Sequence, residues 1–204
     1  MAEQRACGRG PLLKGLAVAA GALAVATVLI SGCRPAAPPA QAHPAVAFHA
    51  EGQPQSLSQW HLFELADGRL TLNERVLPYD LNSALFTDYA HKLRTVWMPE
   101  GVSAQYDAEQ SFDFPVGTII SKTFYYPRDG ASQAVLASDD QGDASQLDLK
   151  KVRLMETRLL VRRAEGWIAL PYVWNAQQTE AVLQRTGDQI PLEMATPQGK
   201  QKFT

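Results

Sequence analysis

The 204-residue chain contains two cysteines, Cys7 and Cys33, and none after them. Everything beyond Cys33 therefore lacks the thiols for an internal disulfide, a thiolate nucleophile, a cysteine zinc site, an iron–sulfur cluster or covalently held c-type haem. No cofactor is expected in this chain, and stability has to come from packing. An excess of either charge is also missing, with 19 basic residues against 21 acidic ones. With no basic stripe and no interleaving of aromatic and basic residues, nucleic acid is not an expected partner. The longest apolar run, residues 15–30, falls short of the roughly 20 residues that a membrane span needs. A Gly-x-Ser-x-Gly elbow, a phosphate-cradling glycine loop and a His-Glu-x-x-His pair are all missing.

What the N-terminus does have is Arg5, Arg9 and Lys14 against a single acid, Glu3, ahead of that apolar run. A positive start and a short apolar core make an export signal. Its end, Ile30-Ser31-Gly32-Cys33, resembles the lipobox of bacterial lipoproteins. The resemblance implies that Cys33 takes a diacylglycerol, becomes the mature N-terminus and is acylated further, for instance with palmitate. Arg34, which is not Asp, implies transfer to the periplasmic face of the outer membrane. Each buried methylene contributes about 0.8 kcal/mol, so two or three chains hold a protein on a bilayer where one barely does. Ala36-Ala37 and Ala40 leave cleavage by a general signal peptidase as the alternative.

The expected organisation is a lipoprotein signal peptide over 1–32, a Pro/Ala-rich tether over 33–55 and a single β-rich domain over 56–204. Pro35, Pro38, Pro39, Pro44 and Pro54 keep the tether extended, and His43 and His49 sit in it without a cluster that would hold metal. Leu57, Trp60 and Phe63 at helical spacing predict a short amphipathic helix before the turn Asp67-Gly68. Residues 83–89 read as one helical turn, with Leu81, Leu85, Phe86 and Tyr89 as a plug beneath a sheet. Period-two alternation predicts strands over 92–98, 118–126 and 152–163, then a hairpin at Arg163-Ala164-Glu165-Gly166 into a strand over 167–174. On this last strand Ile168, Leu170, Tyr172 and Trp174 share one face. A second hairpin is expected around Thr186-Gly187-Asp188, with Pro191 marking an edge strand, and Asn175 is expected to cap a turn with Gln178 reaching back. The fold class is mainly β, an antiparallel β-sandwich or open barrel-like domain with short N-terminal helices. Residues 128–151, rich in Asp, Ser, Gln and Gly, read as a mobile acidic loop. Its Asp139-Asp140-Gln141-Gly142-Asp143 has calcium-loop composition without the EF-hand spacing.

Three candidate chemistries remain. Asp80, Asp88 and His91 would serve a secreted enzyme if a helical turn brought Asp88 beside His91, since a carboxylate orienting an imidazole makes a general base. The bland reading has the two acids capping turns. The tryptophans Trp60, Trp97, Trp167 and Trp174, with Tyr125, Tyr126 and Tyr172, would serve a carbohydrate-binding module if exposed and coplanar, although a β domain of this size needs such rings to fill its core. A docking surface presents aromatic anchors inside a polar rim, and Trp167 is the expected anchor.

Residues 77–90 (Leu-Pro-Tyr-Asp-Leu-Asn-Ser-Ala-Leu-Phe-Thr-Asp-Tyr-Ala), Phe114-Pro115-Val116-Gly117-Thr118, Lys122-Thr123-Phe124, residues 156–161 and the span from Gly166-Trp167 to Trp174-Asn175 together resemble the bacterial exported proteins labelled diheme c-type cytochromes. The resemblance runs in order from about Leu57 to Thr204. In longer members a β-rich region like this one is followed by Cys-x-x-Cys-His haem sites, and some are joined to sugar-dehydrogenase-like domains. This chain ends, at Phe203-Thr204, where those sites would begin, which makes a truncated or split gene an open expectation. What the resemblance implies is a non-catalytic accessory domain that neighbours a periplasmic c-type cytochrome or dehydrogenase.

Overall fold

The alternation read from the sequence is realised as a six-stranded antiparallel sheet in the order β10-β9-β8-β5-β4-β3. Its strands are β3 (Leu77–Pro78), β4 (His91–Trp97), β5 (Ile119–Pro127), β8 (Val152–Arg163), β9 (Gly166–Trp174) and β10 (Ala181–Leu183). This computed structural model describes residues 43–83, 85–130, 134–138 and 145–203. The signal, Cys33 and Asp139 to Asp143 lie outside the described residues, as does the first part of the expected tether. Two three-stranded sheets complete the fold. One joins the hairpin of β1 (Phe63–Ala66) and β2 (Arg69–Leu72) to β7 (Gln146–Asp148). The other places β11 (Leu192–Thr196) between β12 (Gly199–Phe203) and a parallel partner, β6 (Val135–Leu136). The fold is mainly β and sandwich-like.

One face of the large sheet makes the core. Leu93, Ile119, Leu159, Val161, Leu170 and Tyr172 pack there with Leu70 and Leu147 of the first small sheet. Hydroxyls on this inner face pair across strands, Thr95 with Ser121 at 2.6 Å and Thr123 with Thr157 at 2.8 Å. The Trp174 indole donates to Thr157 at 3.0 Å. These buried polar groups avoid the desolvation cost because each has a partner.

Several expectations are corrected. The predicted N-terminal helix is one 3-10 turn, Leu57–Trp60, and Phe63 starts β1 instead of continuing it. Residues 43–55 are not a free tether: Val46 and Phe48 pack on the core, Ala47 N–H donates to the Trp60 carbonyl, and the Tyr172 hydroxyl donates to the Pro54 carbonyl. The apolar residues among the prolines give this stretch area to bury. The hairpin around Gly187 does not form, because β10 pairs with β9 whereas β11 pairs with β12 and β6. Pro191 precedes β11, which is central in its sheet. Within 128–151, β6 and β7 are ordered strands carrying buried Val135 and Leu147.

Candidate functional site

Period-two geometry sends His91, Leu93, Thr95 and Trp97 to the core side of β4 and Lys92, Arg94 and Val96 to the opposite side. Register then builds the outer face row by row. Arg94 of β4 stands opposite Lys122 of β5, which stands opposite Arg158 of β8 and, beyond it, Pro171 of β9. One row along lie Val96, Ile120, Leu160 and Ala169, and on the other side Lys92, Phe124, Glu156 and Val173. The result is a cationic row between apolar neighbours.

The charges are unevenly matched. Glu156 Oε2 binds Arg158 at 2.8 Å, and the Arg158 guanidinium also lies 4.9 Å from the Phe124 ring centroid. The Arg94 side chain is only 7% exposed, and its acid, Asp80, is 3.8 Å away, outside hydrogen-bond range. Lys122 stands 5.2 Å over the Phe124 ring and has no carboxylate within ion-pair reach among the described residues. Burial, with the Arg158 and Arg94 guanidiniums adding and Glu156 opposing, draws the Lys122 ammonium below its ordinary pKa. Lys92 is lowered likewise, by burial first and then by Arg94 and Lys122. Burial raises the Tyr79 hydroxyl, and Arg94 partly offsets that.

Two cavities open on this face, of about 550 Å³ and 380 Å³, and meet at Glu156, Arg158 and Gly187. Tyr79 and Leu81 wall the larger one on one side, and Arg185 to Gly187 on the other. The smaller is bounded by Thr87, Asp88 and Met194.

The strap of residues 79–83 and 85–90, which edges both cavities, is the largest departure from expectation. The residues read as a buried plug point outward, with Leu85 76% and Phe86 74% exposed and Leu81 and Tyr89 exposed with them. The helical turn is missing, since Asp88 and Tyr89 are consecutive left-handed residues, φ 46° and 62°. Such a pair on non-glycine residues is strained and needs fixing from outside. The Tyr126 hydroxyl donates to the Asp88 carbonyl at 3.1 Å, Lys92 Nζ to the Leu85 carbonyl at 2.9 Å and Tyr79 N–H to the Arg94 carbonyl at 3.0 Å. Phe86 and Tyr89 meet edge to face at 5.2 Å.

The proposed acid–base trio does not assemble. Asp80 approaches Arg94, and Asp88 borders the smaller cavity on the outer face. His91 is buried on the inner face, edge-on to Tyr125 at 5.4 Å, with Nε2 against the Ser138 carbonyl and Nδ1 without a partner among the described residues. Among the tryptophans, Trp60 and Trp174 are core, Trp97 packs against it, and Trp167 is 43% exposed. Trp167 ends a row of rings, Phe114 at 6.0 Å, then Phe112 at 6.2 Å and Tyr106 at 5.8 Å. Their planes cross at 83°, 54° and 63°, which is not the coplanar platform a sugar-binding reading needs.

Sequence reasoning missed the cationic row, although Arg94, Lys122 and Arg158 all sit at the polar positions of predicted strands. Only the pairing register brings them together. His43 contacts Glu64 at 3.2 Å and His49 the Gln59 carbonyl at 3.1 Å, and no cluster of metal-ligating residues occurs among the described residues. No helix there is long and apolar enough to cross a membrane. No family model, curated protein or solved structure matches the chain.

Proposed function

We propose that the chain is an exported lipoprotein, held through acylated Cys33 on the periplasmic face of the outer membrane, whose β domain is a non-catalytic accessory module. Its partner is a periplasmic c-type cytochrome or dehydrogenase, the class to which the sequence resemblance points. The observation that carries the docking role is the strap: Leu85 and Phe86 are three-quarters exposed on a backbone held by Lys92, Tyr126 and Arg94. Apolar anchors presented on a fixed backbone beside a charged face are what a binding hot spot requires, because little ordering entropy remains to be lost on association. Trp167 and its neighbouring rings offer a second anchor on the same domain.

The test is a photo-crosslinking residue at position 86 of the full chain in living cells. A covalent adduct that stains for haem or carries dehydrogenase activity, and that is lost when Leu85→Ser weakens the anchor, is the expected result. Crosslinks to neither class of protein from position 86 or position 167 would refute the redox association.

A further inference from the structure

We infer that the larger cavity on the outer sheet face is a binding site for a small carboxylate with an apolar body, its headgroup held between Lys122 and Arg94. The site is separate from the exposed tips of the strap, and its occupancy does not depend on the docking role.

Three features converge. Arg94 is more than nine-tenths buried and lines the cavity, and among the described residues its nearest acid stands at 3.8 Å, so its guanidinium has no close carboxylate. A buried cation in that position is costly unless something anionic completes it. Lys122 is its direct cross-strand partner, which places the two side chains side by side on one face, about 5 Å apart at their Cβ atoms. A carboxylate seated over this pair would accept from both cations.

The other charged groups around Lys122 are already engaged. Glu156 is bound to Arg158, Arg185 donates to the Gln53 side chain, Lys92 is turned to the Leu85 carbonyl, and Asp80 is the distant partner of Arg94. Tyr79 is the remaining titratable neighbour on the strap side. Among the described residues that leaves Lys122 as the cation of this face with neither a carboxylate nor a hydrogen-bond acceptor, and one added negative charge as the complement. Burial, with Arg158 and Arg94, lowers the pKa of Lys122, so an added negative charge beside it would favour its charged form.

The apolar half comes from the next row of the sheet. Ile120, Leu160 and Ala169 continue the floor away from the cations, and the half-exposed Leu81 borders it on the strap side. A cavity of about 550 Å³ is in the range that holds small ligands, and a mostly apolar lining with a few placed polar groups is how such sites select.

The full lipidated chain in nanodiscs, titrated calorimetrically with 3-phenylpropanoate against empty nanodiscs, tests this. Saturable binding is expected, at least tenfold weaker for the neutral 3-phenylpropanamide and at least tenfold weaker for acetate. Lys122→Gln should weaken binding at least tenfold, as should Leu160→Glu, which changes an exposed floor residue and leaves the core alone. Lysine-detected NMR on the native chain should show the Lys122 pKa rising when the carboxylate is bound. Equal affinity for the amide, equal affinity for acetate, no saturable binding, or an unchanged Lys122→Gln variant would each overturn the assignment.

Discussion

The side-chain amide of Gln178 closes both polar groups of the Leu154 backbone, its oxygen accepting from Leu154 N–H and its nitrogen donating to the Leu154 carbonyl at 3.1 Å. The reason lies one residue on. Phe124 pairs with Glu156 whereas Tyr125 pairs with Leu154, so Met155 is an extra residue bulging out of β8. A bulge interrupts the ladder and leaves backbone groups without strand partners. Gln178, itself left-handed at φ 59°, supplies them from the turn after β9. The bulge also lets adjacent residues serve two cores, Leu154 the main one and Met155 the cluster with Val135 and Met194.

Gln178→Ala should therefore cost more than an ordinary polar truncation. It strands a buried N–H and a buried carbonyl together, which predicts a loss of roughly 1–3 kcal/mol. Urea unfolding would show this as a lower midpoint with an unchanged slope. A change within a few tenths of a kcal/mol would mean that water replaces the amide.

Tyr172 ties the segment ahead of the 3-10 turn to the core. Its hydroxyl accepts from the Trp60 indole at 2.8 Å and donates to the Pro54 carbonyl at 2.9 Å. Tyr172→Phe leaves the fully buried Trp60 N–H without an acceptor, so a loss of about 1–3 kcal/mol is expected. Limited proteolysis should meanwhile find new cleavage within residues 43–55. Destabilisation without new cleavage would show that Val46 and Phe48 hold that segment unaided.

The strands were legible because alternation is a local property. Val152 to Arg163 and the face shared by Ile168, Leu170, Tyr172 and Trp174 follow from side-chain period alone. Unbroken period two would put Met155 on the side of Thr157, and the bulge reverses it, since nothing local in the sequence shows that one residue will drop out of register. Leu85 and Phe86 were read as core because they are apolar. Burial depends on which surface a segment meets, and the strap meets the polar, cationic side of the sheet. The site was illegible for the same reason: Arg94, Lys122 and Arg158 are adjacent through pairing, not through spacing.

Gly117 shows how tightly the loop before β5 is held. Its φ is +100°, and a Cβ built on it would stand 2.5 Å from the Pro99 ring. Gly117→Ala brings both a conformation that L residues avoid and a clash with a ring that cannot flex away. The expected loss is about 1–3 kcal/mol, of the order of a strained backbone position. Thermal unfolding would measure it, and a double variant with Pro99→Ala should recover part of the loss. No recovery would place the whole cost in the backbone.

The anchor is tested by mass. If Cys33 is the lipidated N-terminus, the purified mature chain should begin at residue 33 and carry a diacylglycerol with at least one further acyl chain. Base hydrolysis should release the two ester-linked chains and leave the thioether-linked glyceryl group and the amide-linked chain in place. Two or three chains give firm membrane retention, so fractionation should place the protein with the outer membrane. Cys33→Ser should abolish acyl labelling. An unmodified residue 33, or a start at residues 37–41, would replace the lipoprotein reading with an ordinary secreted one.

Lys122 should make the stability of the domain depend on pH in a defined direction. Its pKa in the fold lies below the 10.5 of an unperturbed lysine, through burial first and then through Arg158 and Arg94. Between the folded value and 10.5 the unfolded chain binds more protons than the folded one, so stability rises with pH across that window. Below the window the penalty of a charged, crowded Lys122 is present in full. Lys122→Met removes it, so the variant should unfold at a higher temperature than the native chain near neutral pH. That advantage should shrink as the pH approaches 10.5. Tyr79, Tyr126 and Tyr172 are raised by burial and lose stability above about pH 10 in both proteins, so their contribution cancels in the difference between the two. A saturating carboxylate should also narrow the gap at neutral pH, by stabilising the native chain and not the variant. A gap that stays constant from pH 7 to pH 10 would show that Lys122 is solvated well enough to feel neither its neighbours nor a ligand.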